Sequence, residues 1–234
     1  WNAARFALIN LKGYTPGAVA DADLTLEDRW VLSRLATVTQ QVTAALDSYR
    51  YSDAARTLYD FAWDEFCSFF VEMLKNRMQD EAQRPVAQRI LAHTLDVLLR
   101  LLHPMIPFIT EEIWQLLAQA APQRGLDDPQ PAAASIMTAA WPQADTSRQD
   151  AAIEAQFARF QAVLGALREI RSRQNIPPKS PIEFGVRCEA DTEQLLQPMA
   201  AYFVSMAGAI ATGWGPAVTP PATHAAVTLP IADV

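Results

Sequence analysis

The segment Leu98–Leu117, LLRLLHPMIPFITEEIWQLL, has apolar residues at helical spacing on both sides of a centre that contains two prolines. Pro104 disfavours helical geometry at His103, so we expect a first helix to end at that point. Pro107 has no backbone N–H to donate and suits the first turn of a second helix. The segment therefore predicts two helices joined by a tight corner. Three apolar residues of the corner are expected to be buried in the core: Met105, Ile106 and Phe108.

Upstream of this corner, the sequence predicts further helices of a bundle. Thr25 can cap a helix whose first turn is acidic, and apolar residues then recur at spacings of three and four. The buried stripe predicted for that helix is Val31, Leu35, Val38, Val42, Ala45 and Tyr49. Ser52–Asp53 can cap the next helix, and Pro85 suits the first turn of the helix that leads to the corner. Helical spacing is already present at Trp1 without a capping residue, as expected of a segment taken from a longer protein.

After Ala120 the pattern changes. Residues 121–150 are rich in proline and have no sustained period, so we predict a connecting loop with an extended or docked patch at SIMTAAW. Helical spacing returns over residues 153–170. Three prolines are expected to stop that helix: Pro177, Pro178 and Pro181.

The remaining residues predict a small mixed unit. Residues 182–187 alternate between apolar and polar, which indicates a strand, and Thr192–Met206 has helical spacing. GAIATGW and HAAVTLPI suggest two more strands. The predicted fold is therefore mainly α, with three parts in chain order: a helical bundle over 1–120, a connecting loop over 121–150, and a terminal helix with a small α+β subdomain over 151–234.

The composition excludes several classes of protein. The chain has 234 residues and a net charge of −7, so positive potential is not spread over its whole surface. Cys67 and Cys188 stand in unrelated contexts, which argues against a disulfide framework and favours a cytoplasmic location. The sequence shows no apolar run of about eighteen residues and no signal peptide, so no membrane association is expected.

The sequence contains no recognisable catalytic or metal-binding motif. His93, His103 and His224 are far apart and form none of the usual zinc spacings. Neither a phosphate-binding glycine loop nor a pairing of a nucleophile with a base can be identified. We therefore expect no catalytic residue and no metal ligand in this chain.

Cations and aromatic residues near two helix starts are the best candidates for a binding site. One group is Asn2, Arg5 and Phe6, and a second is Arg29, Trp30 and Arg34. Such groups suit single-stranded RNA, whose bases stack on aromatic or guanidinium planes. The alternative is that both aromatic residues belong to the core and that the cations only solubilise the surface. A further cation group is expected either to touch an RNA backbone or to complement a helix C-terminus: Arg168, Arg171, Arg173 and Lys179.

Six motifs resemble successive landmarks in the C-terminal region of the valyl-tRNA synthetase family: WNAARF, DRWVLSRL, YDFAWDEFCSFFVEM, LLHPMIPFITEEIW, SIMTAAWP and LREIRSRQNIPP. The resemblance extends from Trp1 to about Pro181. HPMIPFITEEIW alone is similar to the wider group of class I synthetases for branched aliphatic amino acids and methionine. NAARF together with WDEFC narrows the resemblance to the valine enzyme.

The resemblance implies that residues 1–120 form an anticodon-binding helical domain, followed by a small α/β appendage. In that family the full enzyme activates valine with ATP and Mg²⁺ and transfers it to its tRNA, using HIGH and KMSKS motifs that this chain lacks. No catalysis and no cofactor are therefore expected of this segment. Its implied partners are the anticodon stem-loop of tRNA(Val) and the catalytic domain of the same longer chain, in a cytoplasmic monomer.

The resemblance also assigns roles to residues. The NAARF motif lies at the mouth of the bundle that in this family faces the anticodon loop. The DRW motif begins the following helix, where family members often have an aromatic residue near the loop. The family reads the middle adenine and the third cytosine of the anticodon. Lys12 and Lys75 are implied phosphate contacts. Five landmarks are expected to be structural: Trp63, Phe66, Pro104, Pro107 and Trp114.

Two other classes of function stay open. A helical protein-interaction scaffold without an RNA partner would show an exposed apolar groove and no basic patch near Asn2 and Arg5. A free-standing enzyme would need a cleft with converging polar groups of perturbed ionisation.

Overall fold

The computed structural model describes residues 1–177 and 179–229. The chain divides into two compact units, Trp1–Asp150 and Ala151–Val234. Two predictions lie partly outside the described residues, namely the helix stop at Pro178 and the end of the HAAVTLPI strand at Pro230 and Ile231.

The first unit is a bundle of α-helices, as the sequence predicted. Its helices are α1 (Asn2–Asn10), α2 (Leu26–Asp47), α3 (Tyr51–Asp60), α4 (Val71–Arg77), α5 (Arg84–Leu102) and α6 (Pro107–Ala120). A π-helical stretch, Phe61–Phe70, joins α3 to α4 without a break, because the backbone at Asp60 and Phe61 stays in the right-handed helical region. A short 3₁₀ turn, Asp21–Asp23, precedes α2.

Helix α2 supplies much of the core of the bundle. Its predicted stripe is buried from Val31 to Ala45, which confirms the spacing argument. The prediction is wrong for Tyr49, which is exposed. The reason is that α2 ends at Asp47 and Tyr49 has a left-handed backbone with φ of 58°, so its side chain no longer follows the helical stripe.

The proline corner has the predicted backbone. Helix α5 ends at Leu102 and α6 begins at Pro107, and the Ile106 amide donates to the Leu102 carbonyl oxygen at 3.1 Å. The ring nitrogen Nδ1 of His103 lies 2.8 Å from the Thr110 hydroxyl, which ties the corner to the first turns of α6.

The predicted burial of the corner is wrong for Ile106 and Phe108, and Met105 is only half-buried. Ile106 is exposed, and Phe108 is 92% exposed. The buried face of α6 is formed by Thr110, Ile113, Trp114 and Leu117. At 100° per residue, Phe108 points about 160° away from Thr110, so the helix that Pro107 starts directs this ring to solvent.

Residues 121–150 pack on the bundle rather than forming a free connection. The segment contains the antiparallel strands β1 (Gln123–Arg124) and β2 (Gln130–Pro131), and the 3₁₀ turns Ile136–Thr138 and Thr146–Arg148. The indole N–H of Trp114 donates to the Ala133 carbonyl and that of Trp141 to the Thr43 hydroxyl, both at 2.9 Å. Of the two alternatives for SIMTAAW, the docked patch is the one observed, with Ile136 buried.

The second unit is a small α+β fold. It contains α7 (Ala151–Arg173), β3 (Ile182–Val186), α8 (Ala190–Leu196), α9 (Ala200–Ala207) and β4 (Ala209–Trp214). Strands β3 and β4 pair in parallel, which confirms the strands predicted at residues 182–187 and at GAIATGW. The rings of Phe160, Phe184, Phe203 and Trp214 pack together in its core. Residues 224–229 form no strand, so the HAAVTLPI prediction is wrong for its described part.

Candidate nucleic-acid interface

Helix α1 and the turn that follows it carry three exposed residues of the predicted site. Asn2 and Arg5 are one turn apart and exposed, and Lys12 is exposed in the turn after the helix. The opposite side of α1 packs inward through Ala4 and Ala7, and Phe6 is half-buried beside them. We call the exposed set Asn2, Arg5 and Lys12 the α1 face.

The side chains of the α1 face are not engaged within the bundle. In the described part of the chain, the guanidinium of Arg5 has no carboxylate partner, so its five donors face solvent. The backbone at the end of α1 is held by hydrogen bonds from side chains of α5. The Gln88 amide donates to the carbonyl oxygens of Asn10 and Lys12 at 2.7 and 3.2 Å, and Arg84 donates to Lys12 at 3.0 Å. The last carbonyl of α1 and that of the following turn thereby gain partners from α5, which anchors this end of the helix.

The start of α2 is buried and internally paired. Thr25 and Asp28 form a capping box in which the Thr25 amide donates to Asp28 Oδ2 at 3.1 Å. Arg77 of α4 donates to Asp28 Oδ1 at 2.7 Å, and Glu27 lies 3.6 Å from the same guanidinium nitrogen. The side chains of Asp28 and Arg77 are 0% and 7% exposed, so this is an interior ion pair.

Trp30 lies in the core, and its prediction as an RNA contact is wrong. It is 1% exposed, and the three residues that follow it in α2, Val31, Leu32 and Ser33, are also buried. A helix that is buried on nearly all sides offers no face on which a base could stack. The alternative interpretation of Trp30 as a core residue is therefore correct.

The three other predicted cations differ in exposure. Arg29 is exposed and donates to the Asp21 carbonyl oxygen at 3.1 Å. Arg34 forms a two-pronged pair with Glu65 at 2.7 and 2.8 Å, and the two side chains are only 24% and 16% exposed. The guanidinium of Arg34 is thus engaged with a carboxylate, and its RNA contact stays a prediction. Lys75 is half-exposed in the last turn of α4 and pairs with Glu72 at 2.6 Å.

The second unit holds the other cation group. Arg171 is buried and donates to the Pro177 carbonyl oxygen, and Arg173 pairs with Glu169. Arg168 is exposed, with a long 3.4 Å hydrogen bond to the Met206 carbonyl oxygen, and Lys179 is exposed. Of this group, Arg171 has the structural role that the sequence left open as an alternative.

One exposed cluster was missed by the sequence interpretation. Arg56, Tyr59 and Trp63 lie on α3 and the start of the π-helical stretch, and all three are exposed. The assignment of Trp63 to a structural role is wrong, since the buried face here is formed by Ala54, Leu58 and Phe61. The sequence contains a pattern that could have revealed this cluster, because the three exposed residues recur at spacings of three and four on the opposite side of the helix.

Two ionisable groups with shifted pKa values have structural explanations. Burial lowers the pKa of His93 to about 4, because it disfavours the imidazolium, and nearby Asp96 only partly opposes this. Hydrogen bonds, first from Gln115 and then from Ser135 and the Ile136 amide, lower the pKa of Glu111 and tie it to the docked patch.

Within residues 1–177 and 179–229, no group of three His, Cys, Asp or Glu side chains could hold a metal ion. None of the helices in that part is long and apolar enough to cross a membrane.

Comparison with known proteins identifies the family that this chain matches. A family model described as the anticodon-binding domain of tRNA ligase matches residues 28–186. The chain is 51% identical over its full 234 residues to the valine-tRNA ligase of Rhodopirellula baltica, of which it covers 23%. It is 39% identical over 212 residues to the valine-tRNA ligase of Geobacter sulfurreducens, with 88% of the chain and 23% of that relative covered. The chain therefore spans about a quarter of the length of the curated relatives it matches.

Proposed function

Because the chain belongs to the anticodon-binding domain family of tRNA ligases, we propose that it binds the anticodon stem-loop of tRNA(Val). The name of the relatives, valine-tRNA ligase, supports the choice of tRNA. The observation that carries the proposal on the structural side is Arg5, a solvent-facing guanidinium on an anchored helix with no carboxylate partner in the described chain. Such a group binds phosphate or a guanine edge through two parallel hydrogen bonds.

The α1 face is suited to a stem-loop by its chemistry. Arg5 and Lys12 neutralise phosphates, which supplies affinity that falls with salt. Asn2 presents both a donor and an acceptor to a base edge, and the half-buried ring of Phe6 lies on the same helix. Arg29 is a further exposed donor at the start of α2. Trp30 and Arg34 take no part in this proposal.

The longer protein is proposed to be a valine-tRNA ligase. Its activation of valine with ATP and Mg²⁺, and the transfer of valine to tRNA, would occur on parts outside this chain. This segment would contribute affinity and tRNA identity without chemistry of its own. It would work as a monomer beside the catalytic domain of the same polypeptide.

The test is the substitution Arg5→Ala in the 234-residue chain. Binding of a tRNA(Val) anticodon stem-loop is measured by filter binding over a series of salt concentrations. We expect the variant to bind more weakly and the slope of log K against log[salt] to fall by about one, because one phosphate contact is lost. Circular dichroism should show an unchanged fold, since the side chain is exposed.

Two controls make the result specific. Arg173→Ala removes an exposed arginine whose charge Glu169 already compensates, and it should leave binding unchanged. A stem-loop altered at the middle and third anticodon bases tests whether sequence is read. If the unaltered chain shows no salt-dependent binding of the stem-loop, the proposed function is wrong. If binding occurs but Arg5→Ala does not affect it, only the assignment of Arg5 fails.

A protein-interaction scaffold is the second candidate, and one observation favours it. Phe108 is 92% exposed, with Ile106 and Ile109 also exposed beside it. Contiguous exposed apolar residues often mark a contact with another protein surface. Phe108→Ser should then weaken association with the rest of the ligase, and on this alternative the unaltered chain should not bind the stem-loop.

A further inference from the structure

A second exposed surface of the bundle, formed by Arg56, Tyr59 and Trp63, has the chemistry of a stacking platform. We call these three residues the α3 aromatic face. Tyr59 and Trp63 are 62% and 61% exposed, although aromatic side chains of this size gain much stability from burial. Two such rings side by side in water are unusual for a surface with no ligand.

The geometry of the two rings favours a flat ligand. Their centroids are 6.2 Å apart and their planes are only 10° from parallel, within the range of offset stacking. Each ring restricts the orientation of the other. A flat ligand therefore meets parallel π-faces, and the two side chains need no further ordering when it binds. The other exposed aromatic pair of the bundle, Tyr49 and Tyr51, is arranged edge to face at 78° and offers no such parallel surface.

The backbone at Trp63 is π-helical, and a hydrogen bond holds it in place. Trp63 lies near the start of the π-helical stretch, and its carbonyl oxygen accepts a hydrogen bond from the Ser68 hydroxyl at 2.7 Å. π-Helical turns are rare and occur often at functional sites, because they rotate side chains away from the regular helical positions.

Charge near the rings is mixed. Arg56 is exposed, lies one turn before Tyr59, and has no carboxylate partner among the residues that the structure describes. It also lines an open groove of about 380 Å³ between α2 and α3, together with Arg50 and Thr57. Asp60 and Asp64 are exposed beside the rings. Attraction of phosphate is therefore weak here, and the π-faces are the main feature that a ligand can use.

We propose that the α3 aromatic face stacks an unpaired nucleobase of the bound tRNA, with Arg56 contacting the adjoining phosphate. This inference rests on the proposed function and adds a contact outside the α1 face. A nucleobase fits better than an apolar protein segment, because the rings are flanked by polar residues rather than by aliphatic side chains. Stacking on an aromatic ring tolerates any base, so this contact supplies affinity rather than sequence discrimination.

The test compares three variants of the 234-residue chain for binding of the whole tRNA(Val) transcript over a salt series. Trp63→Ala should weaken binding between about 5-fold and 150-fold, the range for loss of one stacked base, without changing the salt slope. Arg56→Ala should weaken it less and lower the slope by about one. Trp63→Phe keeps a ring and should retain most of the affinity.

Tyr51→Ala is the matched control, because it removes an equally exposed aromatic residue from the first turn of the same helix. It should leave binding unchanged. Photo-crosslinking with transcripts that contain 5-iodouridine, followed by mass spectrometry, should place a crosslink on Tyr59 or Trp63. All exchanged side chains are exposed, and equal denaturation midpoints would show that each variant is folded.

The possible failures are distinguishable. If the unaltered chain does not bind tRNA, the proposed function is wrong, and this inference is then wrong as well. If the chain binds and Arg5→Ala weakens binding, but Trp63→Ala behaves like Tyr51→Ala, the stacking inference alone is overturned. Loss of association with the remaining ligase domains in Trp63→Ala, with tRNA binding intact, would identify the face as a protein contact and would also overturn it.

Discussion

The starts of α1 and α2 use the same residue types in opposite ways. Helix α1 has no side-chain cap, and its first turns present Asn2 and Arg5 to solvent. Helix α2 begins with a capping box, and the carboxylate of that box is buried against Arg77. An arginine near one helix start is thus free to bind a ligand, whereas an arginine near the other holds two helices together.

The difference shows that carboxylate partners, and not position near a helix end, decide what a cation does here. Arg77 pairs in the interior, Arg34 pairs at the edge of the core, Lys75 pairs on the surface, and Arg5 does not pair in the described chain. The loss of stability on substitution should follow burial of the pair, because breaking a buried pair leaves a charge without water. Three substitutions test that order.

Asp28→Ala should have the largest effect. It leaves Arg77 buried beside the more distant carboxylate of Glu27 at 3.6 Å, and it also removes the capping box. We expect the free energy of unfolding of the first unit to fall by about 3–5 kcal/mol. Urea denaturation followed by tryptophan fluorescence measures this loss. A loss below about 1 kcal/mol would show that the pair contributes little and would remove the contrast with α1.

Arg34→Ala should have an intermediate effect. Its two hydrogen bonds to Glu65 are charge-assisted and mostly shielded from water, so we expect a loss of about 1.5–3 kcal/mol in the same denaturation experiment. Binding of the stem-loop by the folded variant should be unchanged. Weaker binding at equal folded fraction would instead restore Arg34 to the binding site.

Lys75→Ala should have the smallest effect on stability. Its pair with Glu72 is exposed, and such pairs contribute about 0–1 kcal/mol. The denaturation midpoint should hardly move, and adding salt should remove the remaining difference. A larger, salt-resistant loss would contradict the burial order. Any effect of this variant on stem-loop binding would support Lys75 as a phosphate contact.

The helices and the proline corner could be predicted from sequence because their determinants are local. Pro104 and Pro107 restrict their own neighbours, and the stripe of α2 follows from helical spacing. Burial at the corner could not be predicted in the same way. Phe108 is apolar, but its direction depends on where α6 begins relative to its buried face, and that face is set by contacts with α1 and α5.

The site was less predictable than the fold for the same physical reason. A motif placed Trp30 near the mouth of the bundle, but only the tertiary structure shows that α2 is enclosed there. The pairing of Arg34 with Glu65 joins residues 31 positions apart, which no local pattern reveals. Trp63 shows the converse error. The resemblance assigned it a structural role as a family landmark, although its side chain is exposed and Ala54 and Leu58 define the buried side of that helix.

The docked segment 121–150 affects how the first unit folds. Arg148 bonds Asp21 across 127 residues, and Trp141 bonds Thr43 across 98. Contacts between residues so distant in the chain raise the contact order and slow closure of the structure. During synthesis on the ribosome, the bundle cannot complete its network until the polypeptide has emerged beyond Arg148, well after its last long helix has been translated.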